Sequence, residues 1–258
     1  MDPVRVETAA GVMTATLADE ENRNALGGAL VSALREALAA ANADPAVRAF
    51  VITNIGSTFC AGANLKERSA ESGKKPAAGA GGMGGFVELL GEIQVSPTPV
   101  IGKIAGHVMG GGNGLAAALD IAIAAENVKF GFTEVRLGVA PAIISVVCLP
   151  KMRPGEAMEA FLRGNRFPAS RAAELGLIAR AVPADALDAA VDEVLDDLRK
   201  GGPNALEFAK RLVNEVPLME QKQAFAWTAK HSAELFAGTE AAEGMKAFLQ
   251  KRPPKWAE

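Results

Sequence analysis

The sequence has little of what several function classes require. Only two cysteines occur in 258 residues, Cys60 and Cys148, far apart and without a Cys-x-x-Cys spacing. That argues against a disulfide framework or a thiolate zinc site and reads as reduced thiols of a cytoplasmic protein. Histidine is as scarce. His107 has no evident triad partner and is expected to be structural. Charge of one sign is missing too: the net charge is −3, with no basic field to attract nucleic acid. Long apolar runs are absent, since the stretches 115–125 and 138–150 are broken by Asp120 and Pro141 and are too short for a bilayer. The first residues carry acids and no apolar leader core. The expectation is a cytoplasmic protein with no membrane span, no nucleic-acid partner and no metal.

What is present is ordinary globular material, 49% hydrophobic and 22% charged, enough for one large domain or one domain with an appendage. "VRVET" and "VMTATLA" alternate around a short turn and predict an antiparallel strand pair. "NALGGALVSALREALAAANAD" carries Leu26, Leu30, Ala33, Leu34, Ala37 and Leu38 at helical spacing and stops at Asp44–Pro45. "VRAFVITNIG" and "TPVIGKIAGHVM" each read as a strand, and "LDIAIAAENVKFGFTEV" as two short strands about a turn at Glu126–Asn127. Alternating strands and helices predict an α/β architecture. From about Pro154 the chain reads as successive helices, one of them opened by a capping box at Ser170. The glycine-rich stretch 69–86 is too poor in apolar residues to order itself, and is read as a surface loop or a mobile lid.

Glycine is concentrated where a helix should begin. Gly110, Gly111, Gly112 and Gly114 follow a strand and run into an alanine-rich helix. "GNGLAA" fits a dinucleotide-binding G-x-G-x-x-A, with Glu134 roughly 20 residues on. Against an NAD-dependent dehydrogenase stand the short helix, which must end by Asp120, and the position of the motif so far into the chain. A second small-residue turn, Ala61–Gly62–Ala63, also follows a strand. Two such turns can aim two backbone N–H groups at one point, which is what stabilising an enolate or tetrahedral oxyanion requires. The positive end of the glycine-led helix would add to it.

At these residues the chain resembles the enoyl-CoA hydratase/isomerase, or crotonase, superfamily. "NRNALGGALVSALREAL", "FCAGANLKE", "AGHVMGGGNGLAAALDIAIAAE", "FGFTEVRLGVAP", "RFPASRAAELGLIARAVP" and "EGMKAFLQKRPP" occur in the family's order and cover nearly the whole chain. The resemblance implies an α/β, crotonase-like spiral of repeated β-β-α units over residues 1–195, holding the CoA site, and a helical oligomerisation region over 196–258. It further implies an acyl-CoA thioester substrate, no separate cofactor, and a homotrimer or dimer of trimers. By the same resemblance, Ala63 and Gly111 would donate the oxyanion-hole N–H groups, flanked by Gly110. The turn Ala61, Gly62, Asn64, Leu65 and Lys66 would run along the pantetheine and adenine. Phe248 and Lys251 would reach a neighbouring subunit's CoA, or else simply pack a helix end; Arg23, beside Asn22 and near Ala25, reads either as a contact to CoA phosphates or as a solvated arginine.

Family hydratases carry two glutamates. The second is present here as Glu134; the position of the first is Gly114. Asn64 stands where the family usually has aspartate. One glutamate can move a proton between two carbons of a 3-enoyl thioester, or hydrate a 2-enoyl thioester if it both orients water and supplies the α-proton. "TEVRLGVAPAIIS" resembles a branch with hydratases of branched glutaconyl-CoA-type substrates that also tends to lack the first glutamate. The reading is therefore an enoyl-CoA hydratase, with 3,2-enoyl-CoA isomerase as the alternative. Hydrolases and decarboxylases of the superfamily, and a non-catalytic acyl-CoA-binding protein, remain weaker ones. Asp120 is expected to be a capping or turn group, and Cys60 a buried apolar residue rather than a nucleophile.

Overall fold

The computed structural model describes residues 2–71 and 82–257. The chain opens with the expected hairpin, β1 (Val4–Ala9) and β2 (Val12–Leu17), paired antiparallel from Val4↔Leu17 to Ala9↔Val12. Its two-residue loop has positive φ at both Ala10 and Gly11, the twist that suits right-handed strands. Helix α1 (Gly28–Ala43) buries Leu30, Val31, Leu34, Ala37, Leu38 and Ala41, a stripe at helical spacing. It starts four residues later than the sequence pattern predicts, because Leu26 is engaged in a bridge to Ala63.

A repeated step follows. β3 (Ala49–Asn54) and β4 (Thr58–Cys60) are succeeded by α2 (Leu65–Glu71) and α3 (Gly82–Val95). β5 (Val100–Ile104) and β6 (His107–Met109) lead into α4 (Gly111–Ala118). β7 (Ile121–Ala125) and β8 (Lys129–Gly131) lead into a 3-10 turn, Thr133–Leu137, and α5 (Ala142–Cys148). The first strand of each pair enters one sheet and the second enters another. With two later strands, β9 (Phe167–Pro168) and β10 (Arg180–Val182), the sheet orders are β1-β2-β3-β5-β7-β10 and β4-β6-β8-β9, with β3-β5-β7 and β4-β6-β8 parallel. This is the predicted β-β-α spiral.

Two expectations change here. "TPVIGKIAGHVM" is two strands in different sheets, broken at Gly106, where an added Cβ would lie 2.6 Å from the Phe59 nitrogen. β7 and β8 likewise part into separate sheets instead of pairing across Glu126–Asn127. Alternation marks a strand but carries no information about its partner.

The remainder is helical, with α6 (Pro154–Arg163), β9 (Phe167–Pro168), α7 (Ala169–Glu174), β10 (Arg180–Val182), α8 (Leu187–Lys200), α9 (Pro203–Glu215), α10 (Gln221–Ala237) and α11 (Thr239–Leu249). Pro154 opens α6 and left-handed Gly164 closes it, as expected. Ser170 caps nothing: α7 begins at Ala169, with Pro168 before it and no side-chain cap. The boundary expected at 195/196 falls inside α8, whose Leu187, Val191 and Leu195 are buried on the core. The lid reading of 69–86 lies largely outside the described residues; at its edges α2 runs to Glu71 and α3 starts at Gly82. No helix among the described residues is long and apolar enough to cross a membrane.

Candidate functional site

The parallel strands β4, β6 and β8 end side by side, and the chain leaving each carboxyl end contributes to one cavity of about 510 Å³. Ligands in α/β folds commonly bind outside such strand ends. Ala61, Gly62, Ala63 and Leu65 come from the end of β4, Gly110 and Gly111 from β6, and Thr133 and Glu134 from β8.

The first two turns touch through glycine. Gly62 has φ +90, and a Cβ there would stand 2.9 Å from the Met109 carbonyl oxygen and 3.0 Å from the Gly111 nitrogen. Gly110 has φ +52, which side-chain-bearing residues rarely adopt. A Cβ on Gly111 would lie 2.9 Å from Leu26 Cδ1 and 3.8 Å from the Ala63 nitrogen. The amides of Ala63 and Gly111 are thereby neighbours on the cavity wall. Gly111 opens α4, where first-turn N–H groups have no intrahelical acceptor. Gly112 is glycine for a different reason: Cys60 backs onto it, its carbonyl oxygen 2.7 Å from a Cβ built there.

Polar side chains behind the wall fix these turns. Asn113, buried, donates from Nδ2 to the Gly110 and Gly131 carbonyls at 3.0 and 2.9 Å. Asn24, buried and left-handed, donates to the Thr58 carbonyl at 2.7 Å and accepts from the Asp19 N–H at 2.8 Å. The Leu26 N–H donates to the Gly62 carbonyl, and the Ala61 N–H to the Arg23 carbonyl. Asn64 caps α2 by accepting from the N–H groups of Lys66 and Glu67. Neither Asn24 nor Asn113 is evident from the sequence as a positioning residue. Asparagine's tolerance of positive φ was the available signal at Asn24.

Glu134 sits at the start of the 3-10 turn after β8. Phe132 just before it is buried against Phe161, ring centroids 4.4 Å apart, so the carboxylate is carried on a packed base. Gly138, left-handed, closes the turn. Burial pushes the Glu134 carboxyl above the usual carboxylate range, opposed only in part by its own backbone N–H. Oε2 is buried with no hydrogen-bond partner among the described residues, and Oε1 would be 3.5 Å from a Cβ on Gly110. Around it the wall is apolar: Leu26, Phe86, Leu137, Val139 and the run Ala140–Ile144. That run was legible as apolar sequence but not as a pocket wall.

Several expected site residues lie elsewhere. Gly114 does not line the cavity; it is covered by Ile144. Ala25 is buried behind the wall, and Asn64 serves as a helix cap. Arg23 and Lys66 are exposed beside the Ala61 turn, with Lys66 Nζ 3.2 Å from Asn22 Oδ1. Phe248, near the end of α11, and Lys251, in the turn after it, are exposed and do not line this cavity. His107 Nδ1 accepts the Lys129 N–H at 3.0 Å, a structural bond between β6 and β8. Asp120 is more than a turn group: Oδ2 accepts the Val100 N–H and pairs with Lys210 Nζ at 2.8 Å. Burial drives the Cys60 thiol up to about 12, so it is no nucleophile. Among the described residues, no group of three or more His, Cys, Asp or Glu could hold a metal ion.

The chain matches the model of the enoyl-CoA hydratase/isomerase family over residues 7–258. It is 32% identical over 257 residues to a carnitinyl-CoA dehydratase of Proteus mirabilis, covering 96% of each chain. An enoyl-CoA hydratase from Polaromonas sp. JS666 superposes with a TM-score of 0.91 at 31% identity, over 98% of each chain. An enoyl-CoA hydratase/isomerase from Marinobacter aquaeolei gives a TM-score of 0.91 at 29% identity, over 100% of each. The chain belongs to the enoyl-CoA hydratase/isomerase family and carries the crotonase fold of acyl-CoA-processing enzymes.

Proposed function

We propose that the cavity holds the acyl end of a CoA thioester and that the protein hydrates a 2-enoyl-CoA. The observation that carries this is one half-buried carboxylate, Glu134, whose enclosed Oε2 has no hydrogen-bond partner among the described residues, beside two neighbouring backbone N–H groups. The thioester oxygen sits against the amides of Ala63 and Gly111. Glu134 takes a proton from water, whose oxygen bonds C3 while the C2=C3 electrons move toward the thioester oxygen. The enolate forms against the two N–H groups, which strengthen as its charge develops. Glu134 then gives its proton to C2 and is a carboxylate again. One side chain carries both proton steps, and the net change is addition of water. Arg23 and Lys66, beside the Ala61 turn, meet the CoA phosphates outside.

A specific observation favours a second reading, 3,2-isomerisation. Among the described residues that line the cavity Glu134 is the only carboxylate, in a mostly apolar wall, and one base suffices to remove a proton from C2 and return it to C4. Incubation with crotonyl-CoA and with 3-hexenoyl-CoA separates the two. Hydration adds one water to the mass and removes the conjugated-thioester absorbance, whereas isomerisation leaves the mass unchanged and creates that absorbance. In either case Glu134→Gln should keep acetoacetyl-CoA binding and lower turnover roughly 10²–10⁴-fold. Because Glu134 works as a carboxylate, kcat/KM should fall as pH falls through its raised pKa, and that limb should vanish in Glu134→Gln. Full activity in that variant would overturn the proposal.

A further inference from the structure

We infer that Ile144 is a specificity-determining residue, locked to Gly114 as a pair that fills with an aliphatic side chain the space a second carboxylate would need. This deepens the functional reading above and rests on it. Gly110 immediately precedes α4 with a non-helical backbone (φ +52, ψ −125), and Gly114 follows four residues on, about one helical turn away. Over Gly110 stands the Glu134 carboxyl; over Gly114 stands Ile144. A Cβ built on Gly114 would lie 2.7 Å from Ile144 Cβ and 3.4 Å from its Cα.

The Cβ contact decides the matter. No rotation about χ1 moves Cβ, so Ile144 cannot turn aside to admit even a methyl group at position 114. A carboxylate there is excluded by space, not merely absent from the sequence. Ile144 is also buried and lines the cavity, so the same side chain forms part of the acyl-binding surface one turn along from Glu134. It thereby sets two properties together. The proton chemistry falls to Glu134 alone, and the acyl group must fit beside a branched aliphatic wall.

Two measurements test this, neither of which needs turnover. The first is thermal stability in a mutant cycle. Gly114→Ala should be strongly destabilised alone, yet nearly neutral in the Ile144→Gly background, and Gly114→Glu should fold well only with Ile144→Gly. Additive effects of the two changes would overturn the pairing. The second is calorimetric binding of butyryl-CoA against the bulkier isovaleryl-CoA. Ile144→Ala keeps the helix and trims the wall, so the affinity ratio should shift toward isovaleryl-CoA by about tenfold or more, in line with the worth of one or two methylenes in an apolar pocket. An unchanged ratio would overturn the role in specificity. If the pairing and the shift appear while the wild type turns over neither enoyl thioester, the hydratase and isomerase readings fail and Ile144 keeps its role.

Discussion

The spiral core and the C-terminal helices solve burial in opposite ways. In the core every residue of β3 is buried, and Phe50, Phe59, Phe130 and Phe132 are fully enclosed. Helix α10 is as long as any in the chain, yet it encloses no residue completely. Phe225 and Phe236 on it are 69% exposed, and Phe248 at the end of α11 is 82% exposed. A groove of about 600 Å³ lined by Phe208, His231, Phe236 and Trp256 runs among these helices. The core completes its own interior, and the described walls of the cavity at the ends of β4, β6 and β8 come from it. The helices leave apolar surface of the sort that marks an interaction site. We propose that this surface meets further copies of the chain, as the trimer expectation requires.

Breaking the joint between the two regions should have the largest effect on stability. Lys210 on α9 reaches into the core, donating to the Ile93 carbonyl at 2.6 Å and to Asp120 at 2.8 Å. Burial raises the Asp120 carboxyl and lowers the Lys210 ammonium, each shift opposed by the partner's charge. Removing Lys210 leaves Asp120 largely buried with only the Val100 N–H and the charge of Lys151 to hold it, so Lys210→Ala should cost about 3 kcal/mol. Chemical denaturation checks it. Replacing both by well-packed apolar residues should recover much of the loss, which a purely steric role for Lys210 would not predict.

A smaller effect on the chain, but a larger one on assembly, is expected at the exposed aromatics. Phe225→Ser and Phe236→Ser remove no core contact, so the stability of a single chain should move by about 0.5 kcal/mol or less. Sedimentation should nevertheless shift to smaller species. Unchanged sedimentation in the double variant would assign this surface to some other partner.

These two regions were also unequally legible in the sequence. The hairpin, the helices and the two small-residue turns followed from period, caps and glycine, because those signals are local. The glycines at 62, 110, 111, 112 and 114 looked alike as letters, yet each answers a different neighbour: Met109, its own φ, Leu26, Cys60 and Ile144. Only the assembled fold supplies those neighbours. The same holds for Asp120, whose partner is ninety residues away, and for the separation of β5 from β6 and of β7 from β8 into two sheets. Glu134 came from the resemblance. Its 3-10 setting and its apolar surroundings depend on Phe161 and α5, which no local pattern around it announces.

Last come the ion pairs on the outside of the core, which should add little to stability and nothing to assembly. Arg35 on α1 holds Glu92 of α3 through Nε at 3.0 and 3.1 Å, and Nη1 lies 2.7 Å from Glu88. Hydrogen bonding to Arg35 holds the Glu92 carboxyl below its ordinary range, so whatever the pair contributes is present at neutral pH and is lost as pH falls through that lowered value. All three side chains are at least one-third exposed, with 34% for Arg35, 54% for Glu88 and 40% for Glu92. Water therefore competes for each charge, and Arg35→Ala should cost no more than about 1 kcal/mol, less in high salt. Arg35→Lys should recover only part of it, since an ammonium cannot grip the Glu92 carboxylate with two parallel donors. The measurement is denaturation of both variants at low and high ionic strength. A loss as large as that of Lys210→Ala, insensitive to salt, would mean that α3 depends on this pair for its docking, and that the core is less self-sufficient than its burial implies.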